Sequence, residues 1–316
     1  MQYFTGHIPA QKVLQGAVVT IGNFDGLHLG HQELIKQTKI MAARLKVPAA
    51  VYTFSPHPSQ LLLQKPPKML MTDIQKRRWL AQLGLDGAIF EPFTPAFSRI
   101  SAQDFLQKIL VDGLGVSGVV VGENFNFGYM GTGNSVFLQE SLSLQGVKVQ
   151  IVSPVLVDGQ VCSSSAVRQL VLSGQVDAAA ALLGRSYLLE GVVVHGDGRG
   201  KTIGFPTVNL KTEQELLPAT GVYATLVKLP GHEKPMLGAT NVGYRPTFND
   251  DNQIHIETHI LDFDRTIYEQ PIELAFVKKI RDELKFHTVD KLKSQIEKDL
   301  IKVWQVLSIS PIDRNK

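Results

Sequence analysis

Cysteine is nearly absent: Cys162 is the one cysteine in 316 residues, so no internal disulfide can form and nothing points to an oxidising compartment. No apolar run is long enough to span a bilayer. The N-terminal stretch MQYFTGHIPAQK lacks the charged and apolar regions of a secretion signal. An excess of one charge is missing too, since 32 Lys+Arg against 29 Asp+Glu leaves +3, too little to build a nucleic-acid or membrane surface. There is no internal repeat and no low-complexity tract. These absences lead to the expectation of a cytoplasmic protein whose partners are small molecules, with no nucleic acid and no membrane; the oligomeric state stays open. What is present is globular: 44% hydrophobic and 19% charged residues, in a chain long enough for two ordinary domains.

The first half alternates short apolar runs with helical patterns. AVVTIG (17–22), AAVYTF (49–54), GAIF (87–90), GVVVG (118–122) and VKVQIV (147–152) read as strands. Helices are expected from about Leu29 to Leu45, near 73–83, and from Ala102 to Val111. That rhythm predicts an α/β unit, a parallel sheet with helices on both faces. Two more helices are expected over Ser163–Ser173 and Val176–Leu183, broken by SGQ (173–175). Past Gly184 the texture becomes β-rich, with runs such as YLLEGVVVHG, GVYATLVKL, QIHIETHIL and IELAFVKKI separated by Gly and Pro, which predicts an antiparallel sheet or barrel. A final helix over Val289–Val306 carries Leu292, Ile296, Leu300 and Trp304 at helical spacing, read as a packing stripe without chemistry. The boundary is set near 184–188, dividing the chain into 1–184 and 185–316.

Gly22, Asn23, Phe24 and Asp25 follow the first buried run, in a GNFDG turn that lets backbone N–H groups approach a ligand. The helix behind it offers a positive N-terminus to phosphate. His28 and His31, at i and i+3, share one side of its first turn, where imidazoles can donate hydrogen bonds to phosphate oxygens as charge grows during transfer. Zinc binding and plain capping or core packing are rival readings of the same spacing; zinc lacks a third ligand nearby. Ser163 and Ser164 open a helix carrying Arg168 one turn in, so a serine caps the helix and a planar guanidinium can fork onto phosphate, unless the arginine is simply on the surface. Asn124 offers a donor and an acceptor to a heterocycle edge, or a turn. His57, between two prolines, is a phosphate neighbour or a rigid loop residue.

HGDGRGKTIGFPTVNL (195–210) is a second phosphate-like loop, with Gly196, Gly198, Gly200 and Lys201. A Walker A loop is excluded, because His195 stands where that motif needs Gly and Pro206 interrupts the helix that should follow. If TVN is extended, Thr207 and Asn209 point to one face, where their oxygens suit Mg2+ beside phosphates; polar decoration of an exposed strand is the plainer reading. In QIHIETHIL, Ile254, Ile256, Thr258 and Ile260 alternate with Gln253, His255, Glu257 and His259. Glu257 therefore lies on the polar face, where a carboxylate can accept a hydroxyl proton as phosphate arrives, or is merely solvated.

G-N-F-D-G-x-H-x-G-H resembles the signature of the nucleotidyltransferase superfamily, and the variant led by GNFDG is similar to the prokaryotic bifunctional riboflavin kinase/FAD synthetases. TFSPHP (53–58), VVVGENFNFG (119–128) and SSSAVR (163–168) follow in that family's order. Ser165 and Val167 replace a usual Thr and Ile, and Asn126 stands where many members carry a basic residue. In the second half, G-x-G-R-G-x-x-x-G-F-P-T-x-N at 196–209 resembles the riboflavin kinase signature, supported by NVGYRPTF (241–248), IETHILDFD (256–264) and IRDELKF (280–286). Glu269 replaces a common glycine. The resemblance runs from about Gly16 to Leu300.

It implies a Rossmann-like nucleotidyltransferase domain followed by an antiparallel β-barrel riboflavin kinase domain with a terminal helix. It implies ATP as co-substrate, Mg2+ as cofactor, and flavins as substrates and products: riboflavin to FMN in the second module, FMN to FAD with release of pyrophosphate in the first. Glu257 would be the base, Thr207 and Asn209 the Mg2+ ligands, and Gly196, Gly198, Gly200 and Lys201 the kinase's ATP contacts. Gly22, Asn23, Phe24, Asp25, His57, Ser163 and Ser164 would surround the other ATP, with His28, His31 and Arg168 stabilising charge. Asn124 and Arg281 would meet the flavin. Three alternatives stand beside this: a kinase whose adenylyltransferase half is weak or repurposed, a tRNA synthetase fragment suggested by HLGH and KMLMT (68–72), and a non-enzymatic flavin carrier or regulator.

Overall fold

Successive residues of a strand face opposite sides of a sheet, and all four residues of Val18–Ile21 are buried, so this strand carries a packed layer on each face. The computed structural model describes residues 1–196, 198–244 and 254–309. The chain forms two compact units, 1–163 and 164–316.

The first unit holds, in chain order, β1 (Gln2–Thr5), α1 (His7–Leu14), β2 (Val18–Ile21), α2 (Leu29–Leu45), β3 (Ala49–Ser55), α3 (Pro58–Leu62), α4 (Asp73–Gln82), β4 (Gly87–Pro92), α5 (Ala102–Asp104), β5 (Gly118–Gly122), β6 (Asn126–Phe127), β7 (Gly133–Asn134), α6 (Ser135–Ser143), β8 (Lys148–Val152), β9 (Leu156–Val157) and β10 (Gln160–Val161). Six strands pair in the order β1-β4-β3-β2-β5-β8, every neighbour parallel. On one face Val19, Ile21, Tyr52, Val119 and Val121 pack with Leu106, Leu110 and Leu138. On the other, Val18, Val51, Phe90 and Val120 pack with Ile35, Ala42 and Leu80. Covering both faces is what parallel sheets require. From β2 the chain steps outward through β3 to β4, then returns to lay β5 on the other side of β2. The crevice beyond the carboxyl ends of β2 and β5 is thus the switch point where doubly wound sheets bind ligands.

Two local features depart from the expectations. The predicted helix 102–111 is α-helical only through α5, then winds as a π-helix over Phe105–Val111, with the Asp112 N–H donating to the Gln107 carbonyl at 2.8 Å. The N-terminal β1 and α1 carry no clear pattern, because β1 is a mostly exposed edge strand and α1 contains Pro9.

The second unit holds α7 (Ser164–Leu172), α8 (Val176–Leu183), β11 (Tyr187–Val194), α9 (Arg199–Thr202), β12 (Val208–Lys211), β13 (Gly221–Lys228), β14 (Met236–Tyr244), β15 (Ile254–Ile260), β16 (Pro271–Arg281) and α10 (Val289–Ile309). Six strands close into a barrel in the order β11-β12-β15-β14-β13-β16, all antiparallel. Thr225, Thr240 and Thr258 are fully buried and linked by hydroxyl hydrogen bonds of 2.7 and 2.9 Å, which is how a threonine is accommodated among the isoleucines of β15. On α10, Val303 and Leu307 pack against Ala224, Leu226 and Leu237. The compact units divide earlier than the change in sequence texture at 184–188, because α7 and α8 look like the end of an α/β half yet pack with the barrel: the Ala219 N–H donates to the Val171 carbonyl at 3.3 Å, and Gly174 lies against Tyr223. Residues 245–248 of NVGYRPTF and Gln253 of QIHIETHIL lie outside the described residues.

Candidate functional site

In the first unit, β2 feeds the Gly22–Leu27 loop and α2 begins after His28, which holds extended backbone at the N-cap position and makes no side-chain capping bond. The His28 and His31 rings stack at 3.7 Å between centroids, inclined by 25°. Gly30 allows this: a Cβ there would lie 3.1 Å from His28 Cε1 and Nδ1 and 3.3 Å from the Cys162 carbonyl oxygen. The glycine of H-x-G-H is thus a packing requirement of the histidine before it. His31 keeps part of its surface in solvent, while its Nδ1 is buried without a hydrogen-bond partner. Burial, then His28, then the Lys76 ammonium hold its pKa well below the usual value. A neutral His31 can still donate one N–H to phosphate.

The GNFDG residues divide. Gly22 and Asn23 line a cavity of about 630 Å³, whereas Phe24 is fully buried at φ 51° and only its backbone can approach a ligand. Asp25 is buried and accepts from the Leu70 N–H at 3.0 and 3.3 Å, tying this loop to the segment before α4. Buried Lys76, on α4, was not legible in the sequence; burial lowers its pKa, while Asp73 and Asp25 oppose the shift. Asn124 and Asn126 line the cavity beyond the end of β5, joined by an Asn126 side-chain N–H to Asn124 carbonyl bond of 3.1 Å. Phe54, Phe93, Phe97, Phe125 and Phe127 line it too, the last two stacked at 5.4 Å, and supply flat apolar faces for a planar ring. His57 caps α3 through Nδ1, which accepts from the Ser59 N–H at 3.2 Å. Ser163 ends this unit in sequence. Ser164 and Arg168 stand on α7 of the second unit, so the expected grouping of Arg168 with the histidines joins residues of different units.

In the second unit, a cavity of about 520 Å³ brings together Gly200, Thr207, Asn241, Glu257, His259 and Arg281. The register pairs Glu257 with Asn209 on β12 and with Asn241 on β14, so the three side chains form one row across the sheet. A Cβ on Gly196 would collide with the Asn209 side chain, and one on Gly200 with the Phe205 carbonyl, 3.2 Å from Thr207 Oγ1. The glycine loop therefore lies directly on Thr207 and Asn209. Of these two, Thr207 lines the cavity, and Asn209, half-buried, lies against Gly196. Hydroxyl, amide and carboxylate oxygens are hard donors; two neutral ligands leave most of an octahedron to phosphate and water, which fits Mg2+ and not zinc. Among the described residues no cluster of His, Cys, Asp and Glu forms a metal cage. Lys201 and Gly198 are exposed and outside the cavity wall.

Arg281 lines the cavity, but its Nε and Nη2 both donate to Asp299 Oδ2 at 2.8 Å and its Nη1 donates to the Asp282 carbonyl. Gln295 holds the other Asp299 oxygen at 2.8 Å. The stripe on α10 is corrected: Leu292, Ile296 and Leu300 line the cavity facing Glu257's strand, Trp304 is 58% exposed, and the packing is carried by Val303 and Leu307. The stripe shares the helical spacing of a core face, and only the barrel's position turns it into a cavity wall. Glu269 adopts φ 64°, the left-handed backbone that a glycine would take, so the loop keeps that form despite the replacement.

Residues 10–166 match the FAD synthetase family and residues 183–307 the riboflavin kinase family. The chain is similar to the bifunctional riboflavin kinase/FMN adenylyltransferase of Haemophilus influenzae, 38% identical over 301 residues and covering 95% of this chain and 97% of that protein. Proteins of the same name from Listeria monocytogenes and Escherichia coli K12 are 39% and 37% identical, covering 90% and 93% of their own lengths and 89% and 93% of this chain. A crystal structure from Streptococcus pneumoniae described as a macrolide-efflux protein superposes with a TM-score of 0.84 at 30% identity, covering 93% of this chain and 96% of that one. Among the described residues no helix is long and apolar enough to cross a membrane.

Proposed function

The chain belongs to the bifunctional riboflavin kinase/FMN adenylyltransferase family, and from that premise we propose how its residues divide the work. The protein phosphorylates riboflavin to FMN and adenylylates FMN to FAD, using ATP in both steps. The observation that carries the residue assignment is the row Asn209–Glu257–Asn241 beside Thr207, under a glycine loop and facing an apolar helix wall. Riboflavin's ring system lies against Leu292, Ile296 and Leu300, which turns its 5′-hydroxyl to Glu257. The Glu257 carboxylate takes the hydroxyl proton as the γ-phosphoryl group of ATP arrives. Backbone of Gly196, Gly198 and Gly200 covers the phosphates, and Lys201 adds charge at their edge. Thr207 and Asn209 hold Mg2+, which when bound neutralises phosphate charge.

In the first unit the isoalloxazine of FMN packs among the phenylalanines, its edge meeting Asn124. The FMN phosphate oxygen attacks the α-phosphorus of ATP and pyrophosphate leaves. His28 and His31 donate hydrogen bonds to the oxygens that gain charge, at the positive end of α2, and Gly22 and Asn23 contribute backbone. A cytoplasmic location and the absence of a nucleic-acid partner are further parts of this proposal. Two matched modules leave a tRNA synthetase fragment or a passive flavin carrier without support.

The test is chromatographic separation of flavins after incubation with ATP and Mg2+, starting from riboflavin or from FMN. Glu257→Gln should abolish FMN formation and leave FMN-to-FAD conversion intact; His28→Ala should do the reverse. Loss of both activities in either folded variant would refute the division.

A further inference from the structure

β12 joins β15 at Val208, Asn209 and Leu210, and the ladder ends there. Continuing its register by one residue would place Thr207 opposite His259. Pro206, next along, has no N–H to give a ladder. The Gly204–Thr207 segment is instead held by bonds of another kind: the Gly204 N–H donates to the Lys201 carbonyl at 3.3 Å, the Phe205 N–H donates to the Gly200 carbonyl at 2.9 Å, and His259 Nδ1 lies 2.7 Å from the Pro206 carbonyl oxygen. A carbonyl only accepts, so Nδ1 carries the proton. The Phe205 ring meets the His259 ring edge-on at 5.9 Å. The two backbone bonds tie the segment only to the glycine loop; the His259 bond ties it to the barrel. His259 stands two residues from Glu257, on the same face of β15, and both line the cavity with Thr207.

We propose that His259 is a positioning residue for phosphoryl transfer, whose Nδ1–H bond to Pro206 replaces the missing ladder bond and holds Thr207 in line with Glu257. The proposal rests on the kinase reading of this cavity. It gives His259 a use that Glu257 does not share: no proton leaves it during the reaction, and its imidazole acts through the backbone of the loop. It also accounts for a proline next to a ligand residue. Pro206 fixes φ and removes a donor, and the side chain across the strand restores the attachment.

The experiment compares His259→Asn, whose amide nitrogen sits where Nδ1 was, with His259→Gln, whose amide reaches the Nε2 position, and His259→Leu, which has no donor. Five quantities are read: kcat and KM for FMN formation, calorimetric affinity for ADP with and without Mg2+, amide exchange in peptides covering 203–210, and the melting temperature. His259→Asn should stay near wild type. His259→Leu and His259→Gln should lose about tenfold in kcat, the scale of one lost hydrogen bond, with KM for riboflavin within about twofold. The Mg2+-dependent part of ADP binding should weaken and exchange at 207–208 should quicken in those two variants alone. Unchanged kcat and exchange in His259→Leu would overturn the proposal. So would His259→Asn as impaired as His259→Leu, which would put the imidazole itself on the substrate, or an equal fall in melting temperature and riboflavin affinity in all three, which would make the residue structural. If wild-type protein made no FMN, the kinase reading would fall, while the exchange comparison would still decide whether His259 holds the loop.

Discussion

Replacing Gly30 by alanine tests the H-x-G-H geometry with a single methyl group. The added Cβ would sit 3.1 Å from two atoms of the His28 ring and 3.3 Å from the Cys162 carbonyl. Carbon contacts settle near 3.5–4.0 Å, so the ring must yield by roughly half an ångström. It cannot slide freely, because the His31 ring lies against it at 3.7 Å. A displacement of about 1 Å of a reacting group costs on the order of a hundredfold, so half of that predicts roughly a tenfold loss, or about 1.4 kcal/mol of transition-state stabilisation. Stability should hardly change: alanine gains up to about 1 kcal/mol over glycine in a helix, and the crowding takes back about as much. The assay is the rate of FAD formation from FMN and of FMN formation from riboflavin in the same preparation. FAD formation should fall about tenfold while FMN formation is retained. FAD formation within about twofold of wild type would refute the packing argument; a parallel loss of both activities would mean that the change acts on folding and not on His28.

Three further outcomes are expected. Glu269→Gly should raise the stability of the second unit by up to about 1 kcal/mol, because φ 64° is strained for any residue with a Cβ; a melting temperature that stays or falls would count against it. His31, with its pKa held below 6.5 by burial, takes up a proton in the unfolded chain before the folded one, so the first unit should lose stability as pH falls below 6.5, and His31→Gln should flatten that dependence in denaturation curves at stepped pH. Asp299→Ala leaves the largely buried Arg281 without its carboxylate and should cost about 3 kcal/mol in urea unfolding, with Asp299→Asn costing less; a loss below about 1 kcal/mol would show that solvent reaches the pair.

The candidate stretches were legible because each is local. His28 and His31 share a face through helical spacing alone, Thr207 and Asn209 sit on one side of an extended chain, and Glu257 falls on the polar face of an alternating strand. The α/β texture of the first half and the β texture of the second likewise follow from periodicity. Leu292, Ile296 and Leu300 show why the rest was not: an apolar face at helical spacing is the same pattern whether it meets core or ligand.

The family and the two modules could be read along the chain, since their signatures depend on residue type and on spacings within a turn or a strand. Packing alone revealed that the GNFDG aspartate ties down Leu70, that Lys76 lies buried near His31, that Arg281 is taken by Asp299, that α10 walls the cavity of the second unit, and that His259 reaches back to Pro206. Each of these joins residues far apart along the chain or depends on burial. Contacts and burial are set by how the whole chain packs, and no local pattern encodes them.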